Sequence, residues 1–366
     1  MSRFAPAAGD ELVLDVDGGA HRFRAMPHPQ GFGYVHAAEG AKAVVYRVRE
    51  TAGGGYYALK VMKPRFREAS LQARCAALDA LKRVPGMRVC ERRCLAPGTA
   101  PRALARHADL EYAVLMPWIA GQTWFEVLTA APGPPPPDPA GSLRLALGLA
   151  SALAALEARG VGHCDLSAAN VIVDTRTGAV ELVDVEDVYA PGLSAPGAVP
   201  LGTPGYQHRT SGAGMWRPDA DRFAGAVLIC EMLAWHDAAV RAASAGESFF
   251  APSEMQDPAS PRLAILLRAL RAGGVSQACE LLERAWASAV LGDCPSFREW
   301  ERALRPSHAG TVFSGRPIVP PPEEARPFWT TLPAPRTGPP LVRWSRSTPR
   351  PAPAAVESEP DATPDD

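Results

Sequence analysis

The sequence predicts an α+β fold in which a small β-rich part is followed by a larger helical part and a proline-rich tail. Alternation of apolar and polar residues marks the first third of the chain, and apolar residues at helical spacing dominate residues 142–303. Fifteen of the 38 prolines fall in the last 61 residues, a composition that cannot bury enough surface to order itself.

Residues 11–24, 44–48 and 56–62 alternate as strands, 67–82 read as a helix, and 112–117 as the last strand of the first part. Residues 131–138 form a proline-rich loop, 142–160 a strongly apolar helix, and 262–303 further helices. The expected division is 1–116, 117–304 and a disordered tail over 305–366, in which Phe328, Trp329 and Trp344 could dock a partner.

With 366 residues and 47% hydrophobic content, the chain can bury a core of two lobes. A net charge of −1 argues against nucleic acid as a partner. No stretch reads as a signal peptide or as some 20 uncharged apolar residues, and seven unpaired-looking cysteines suit a reduced cytoplasm. Cys90 and Cys94 read as ordinary buried thiols.

Chemistry concentrates in residues 161–187. Asp165 and Asn170 lie five apart on one tight loop, and two short strands around a polar turn bring Asp184 back beside them. One carboxylate can accept a hydroxyl proton there, while an amide and a second carboxylate hold Mg²⁺ against nucleotide phosphates. Upstream, Lys60 stands alone in the apolar run Tyr56-Tyr57-Ala58-Leu59-Lys60-Val61-Met62, a costly place without anionic partners.

The segment from His163 to Asn170, followed by Asp184-Val185-Glu186, resembles the catalytic loop and metal motif of the protein kinases. Ala58-Leu59-Lys60 resembles their lysine strand, Gly202-Thr203-Pro204-Gly205-Tyr206 their substrate-docking segment, and 219–233 their buried central helix. The resemblance implies a two-lobed protein kinase-like fold and an atypical bacterial serine/threonine protein kinase using ATP and Mg²⁺. It makes Asp165 the base, Asn170 and Asp184 the Mg²⁺ ligands, Lys60 the phosphate contact and Asp221 the support of the catalytic-loop backbone. Gly40, Val45 and Ala58 would cover the nucleotide, and Met116, Trp118 and Ile119 would form the hinge that holds adenine, with Pro117 contributing only a carbonyl. A metal-dependent phosphatase is the implied partner.

Several positions depart from the family pattern. Only Gly40 of the glycine loop survives, between Ala38 and Ala43, and Gly31-Phe32-Gly33 offers an alternative phosphate loop. Cys164 replaces the arginine that reads a phosphorylated activation loop, and Ser167 replaces the catalytic-loop lysine, which implies slow turnover. Neither the glutamate that should close the activation segment near Thr210 nor its arginine partner, here Cys294, is present. The acidic partner of Lys60 stays open, with Glu68 the only nearby acid on its helix. A pseudokinase scaffold and a small-molecule phosphotransferase of the aminoglycoside or choline type are the competing readings, the latter favoured by Glu186.

Overall fold

The computed structural model describes residues 4–29, 31, 33–129 and 135–305, together with the backbone of 342–343. The tail aromatics Phe328, Trp329 and Trp344, Phe32 of the alternative loop, and residues 131–134 of the proline-rich loop lie outside the described residues.

The expected alternation over 11–24 resolves into two strands, β1 (Glu11–Val16) and β2 (Gly19–Ala25). Asp17 and Gly18 both have positive φ, 47° and 83°, the two-residue turn for which an Asp-Gly pair is suited. The sheet continues through β3 (Ala37–Glu39), β4 (Ala43–Glu50), β5 (Tyr56–Met62), β6 (Arg93–Leu95) and β7 (Ala113–Pro117), in the order β1-β2-β4-β5-β7-β6. β4 is long enough to pair with β3 over its first half and with β2 over its second. A two-residue strand, β11 (Val342–Arg343), lies parallel to β3.

Register divides the sheet into two faces. Tyr46, Val48, Leu59 and Val61 pack with Leu12, Leu14 and Phe23 in one buried cluster. Val45 pairs with Lys60, Arg47 with Ala58, and Ala58 with Met116, so these residues share the opposite face, where Ala58, Met116 and Val45 join the hydrophobic cluster of the helical lobe. Helix α1 (Ser70–Leu78) and a 3₁₀ turn at Asp79–Leu81 account for the predicted helix over 67–82, and α2 (Pro101–Arg106) completes the lobe.

Beyond β7 come β8 (Gln122–Thr123), α3 (Trp124–Thr129) and α4 (Pro139–Glu157). Helix α4 begins three residues earlier than its apolar run suggests. Pro139 suits its first turn, and the Asp138 side chain caps it by accepting the Gly141 N–H at 2.6 Å. Its length and hydropathy would let it cross a membrane, but it packs against α5 (Arg222–Ala234) and α9 (Phe297–Leu304) as a core helix. Strands β9 (Val171–Asp174) and β10 (Ala179–Leu182) form a small sheet with β8, and α6 (Ala238–Ala243), α7 (Pro261–Ala272) and α8 (Ser276–Ala287) finish the helical lobe.

Helix α5 is buried on every side, as its unbroken apolar sequence requires. Its one charged residue in the interior, Glu231, accepts hydrogen bonds from Trp124 Nε1 (2.9 Å), Tyr206 Oη (3.2 Å) and the Phe249 N–H (3.3 Å). Burial pushes its carboxyl up to about 7, and these three donors oppose the shift.

Candidate active site

The loop between α4 and β9 is anchored from below. Asp221 precedes α5, and its carboxylate accepts the N–H groups of His163 (2.5 Å) and Cys164 (2.9 Å). Gly162 must be glycine, because a Cβ there would stand 2.6 Å from the Arg217 carbonyl. His163 lies wholly buried with Nε2 at 2.8 Å from the Val183 carbonyl, so it ties the loop to the strand that delivers Asp184.

Asp165 and Asn170 meet through the loop itself: Asn170 Nδ2 donates to the Asp165 carbonyl at 2.7 Å. The Val183 N–H donates to the Asn170 carbonyl at 2.9 Å, which sets Asp184 beside Asn170. Asp184 takes a left-handed conformation, φ 61°, and its side chain is 41% exposed toward the cleft. From the opposite wall, Thr203 Oγ1 donates to Asp165 Oδ1 at 3.1 Å. The segment carrying Thr203 is fixed by Gly205, where a Cβ would collide with Ser248 Oγ at 2.3 Å.

Lys60 has two carboxylates. Its Nζ lies 2.7 Å from Asp184 Oδ1 and 2.7 Å from Glu186 Oε2. Glu186 Oε1 then accepts from Arg92 Nη1 at 3.1 Å, and Arg92 Nη2 reaches Met116 Sδ at 3.2 Å. Arg92, Glu186, Lys60 and Asp184 thus form a row of alternating charge in the cleft wall, with Arg92 and Glu186 almost completely buried. Burial alone would lower the Lys60 pKa, but the two carboxylates override it and hold the ammonium above its usual range. For Asp184, burial works toward a neutral carboxyl, and Lys60 outweighs it to keep the group ionised far into acid.

Glu68 does not reach Lys60; it is exposed and accepts a hydrogen bond from Ser70 Oγ at 3.1 Å. Sequence reasoning missed Arg92 and the part Glu186 plays. The signal for Arg92 was a charged pair, Arg92-Arg93, between two buried thiols. Those thiols, Cys90 and Cys94, lie buried and half-buried, and burial pushes the Cys90 thiol up to about 12.

Val45, Ala58, Lys60 and Met116 share that sheet face, and Gly40 sits in the turn between β3 and β4. Gly40 has an ordinary φ, so the turn makes no use of glycine's freedom. The hinge is partly committed: the Trp118 N–H donates to the Tyr56 carbonyl at 3.0 Å, and its indole packs 5.1 Å from His36 and 5.4 Å from the Arg47 guanidinium. Ile119 follows, buried. Gly31 and Gly33 lie on a separate turn ahead of β3, closed by the His28 N–H to the Tyr34 carbonyl at 2.7 Å. The β3–β4 turn is the one that reaches the 184–187 segment, through Lys42 Nζ on both Asp187 oxygens at 2.9 and 2.8 Å.

Around the missing ion pair a neutral chain has been built. His208 Nε2 lies 3.1 Å from Ser288 Oγ, and Ser288 Oγ lies 3.1 Å from Cys294 Sγ. Burial lowers the His208 pKa, consistent with an uncharged ring in this chain. Cys164 is likewise closed in, buried with Sγ 3.4 Å from the Gly162 carbonyl.

A carboxylate and an amide oxygen form a hard donor set. With Asn170 Nδ2 spent on the loop, its Oδ1 and the Asp184 carboxylate fit a Mg²⁺ ion that takes its remaining ligands from phosphates and water. Among the described residues there is no cluster of three or more His, Cys, Asp or Glu suited to an all-protein metal cage.

An antiparallel sheet with α1 and α2 beside it, the strand β7 that leads out of it, and a helical lobe bearing the Asp165, Asn170 and Asp184 loops define the architecture. It is the two-lobed α+β fold expected from the sequence. No protein-family model and no curated protein matches the chain. Among solved structures, the kinase domain of Mycobacterium tuberculosis PknI is similar over 74% of this chain and 92% of that one, at 19% identity and a TM-score of 0.47.

Proposed function

We propose that the chain is a cytoplasmic Mg²⁺-dependent phosphotransferase that moves the terminal phosphoryl group of ATP to serine or threonine hydroxyls of proteins. The observation that carries this reading is the convergence on Asp165: Thr203 holds its carboxylate from the docking segment, and Asn170 fixes its backbone next to Asp184.

Asp165 would receive the acceptor hydroxyl proton as the new O–P bond forms and the bond to the departing diphosphate breaks. Lys60, pre-positioned by two carboxylates, would meet the nucleotide phosphates without having to order itself first. Asn170 and Asp184 would hold Mg²⁺, which when bound offsets charge on the phosphates. The β3–β4 turn and the sheet face of Val45 and Ala58 would exclude water above the nucleotide.

Glu186, which by its motif favours a small-molecule phosphotransferase, has one oxygen on Lys60 and the other on Arg92. That engagement supports a structural part for it over recognition of an acceptor. The test is transfer from γ-labelled Mg-ATP by purified protein to itself, to generic protein substrates and to small hydroxyl or amine acceptors, read by intact mass. Transfer to proteins supports the proposal. Nucleotide binding with no transfer to any of them would make the chain a pseudokinase scaffold, and transfer to small acceptors alone would make it a small-molecule kinase.

A further inference from the structure

Three cations reach the carboxylates of the 184–187 segment directly, Lys60 from β5, the buried Arg92 just ahead of β6, and Lys42 from the β3–β4 turn. Their situations differ. Lys60 is deeply buried and held between Asp184 and Glu186, whereas the Lys42 side chain is 31% exposed and bonded to Asp187 alone. The backbone of the turn is pinned: the Lys63 N–H donates to the Lys42 carbonyl at 2.9 Å, and Lys63 Nζ pairs with Glu39 at 2.9 Å on the other arm. Charge therefore positions a hairpin from which all but one of the expected glycines are gone. On the facing loop, Ser167, Ala168 and Ala169 supply no cation.

We propose that Lys42 is a mobile phosphate ligand, which leaves Asp187 when a nucleoside triphosphate enters the cleft and takes up the terminal phosphate. It supplies from above the charge that the catalytic loop lacks at Ser167. The proposal rests on the nucleotide-binding reading given above. A lysine suits the exchange because its compact ammonium, on a flexible four-carbon stem, trades one anionic partner for another without a fixed fork geometry. Phosphoryl transfer depends mainly on positioning and on charge placed near the transferred group, so a cation here bears on both affinity and rate. Asp187 is then the competitor that parks Lys42 while the cleft lacks nucleotide.

The test is titration calorimetry with Mg-ATP and Mg-ADP on the full chain, comparing wild type with Lys42→Met, Lys42→Arg and Asp187→Asn, after melting curves show that each variant folds. Wild type is expected to prefer ATP over ADP. Lys42→Met should lose ATP affinity by about tenfold while ADP affinity changes less, because one charge-assisted bond to the terminal phosphate is removed. Lys42→Arg should keep most of the preference, and Asp187→Asn should bind ATP more tightly than wild type. An unchanged ATP-to-ADP ratio in Lys42→Met, or no gain in Asp187→Asn, overturns the proposal. Absence of nucleotide binding by wild type would instead refute the reading of the cleft itself.

Discussion

Lys60 finds its second carboxylate on Glu186, two residues past Asp184, with Nζ 2.7 Å from Oε2. The lysine is thereby secured by the segment after β10, and helix α1 contributes no acid to it. Glu186 also neutralises the buried Arg92 behind it. Removing this one carboxylate leaves two buried cations short of a partner.

Glu186→Gln should therefore destabilise the protein by about 3 kcal/mol, the usual range for breaking a buried ion pair from one side. Glu68→Gln, on an exposed side chain, should stay within about 0.5 kcal/mol. Urea unfolding of both variants checks the contrast; equal effects would return the pairing to Glu68.

Thr203→Ala should slow phosphoryl transfer by about tenfold with nucleotide affinity unchanged, since Thr203 orients Asp165 through one hydrogen bond to a carboxylate. Thr203→Ser retains the donor and should retain most of the rate. Steady-state kinetics with separate binding measurements distinguish a lost orientation from a lost fold.

Glu231 gives the fold a pH signature. Its carboxyl rises from an ordinary 4.5 to about 7 in the folded state, so the folded protein holds a proton that the unfolded chain releases between those values. The stability it contributes is complete below about pH 4.5 and is lost as pH rises through 7, a change of roughly 3 kcal/mol. Glu231→Gln removes this contribution. Wild type should lose stability relative to the variant between pH 4.5 and 7 and run parallel to it above, as read by urea unfolding across pH.

What could be read from the sequence was local. The spacing of Asp165, Asn170 and Asp184 is set by one loop and one hairpin, and the apolar run around Lys60 declares a strand whatever lies elsewhere. The Asp17-Gly18 turn was equally local and was hidden only because the alternation continues on both sides of it. The partners of Lys60 and Lys42 were not accessible in this way. Glu186 lies 126 residues from Lys60 and Asp187 lies 145 from Lys42, and no periodicity links residues so far apart. The neutral chain from His208 through Ser288 to Cys294 shows the same limit: loss of an ion pair could be read from two positions, but its replacement depends on a serine 80 residues from the histidine.

The most direct measurement compares wild type with Asp165→Ala for transfer from Mg-ATP and for Mg-ATP binding in the same preparation. Wild type should transfer phosphate to protein hydroxyls, and the variant should lose at least about a hundredfold in rate while binding Mg-ATP within about twofold of wild type. Transfer undiminished in Asp165→Ala, or nucleotide binding by wild type without transfer to any acceptor, would contradict the account.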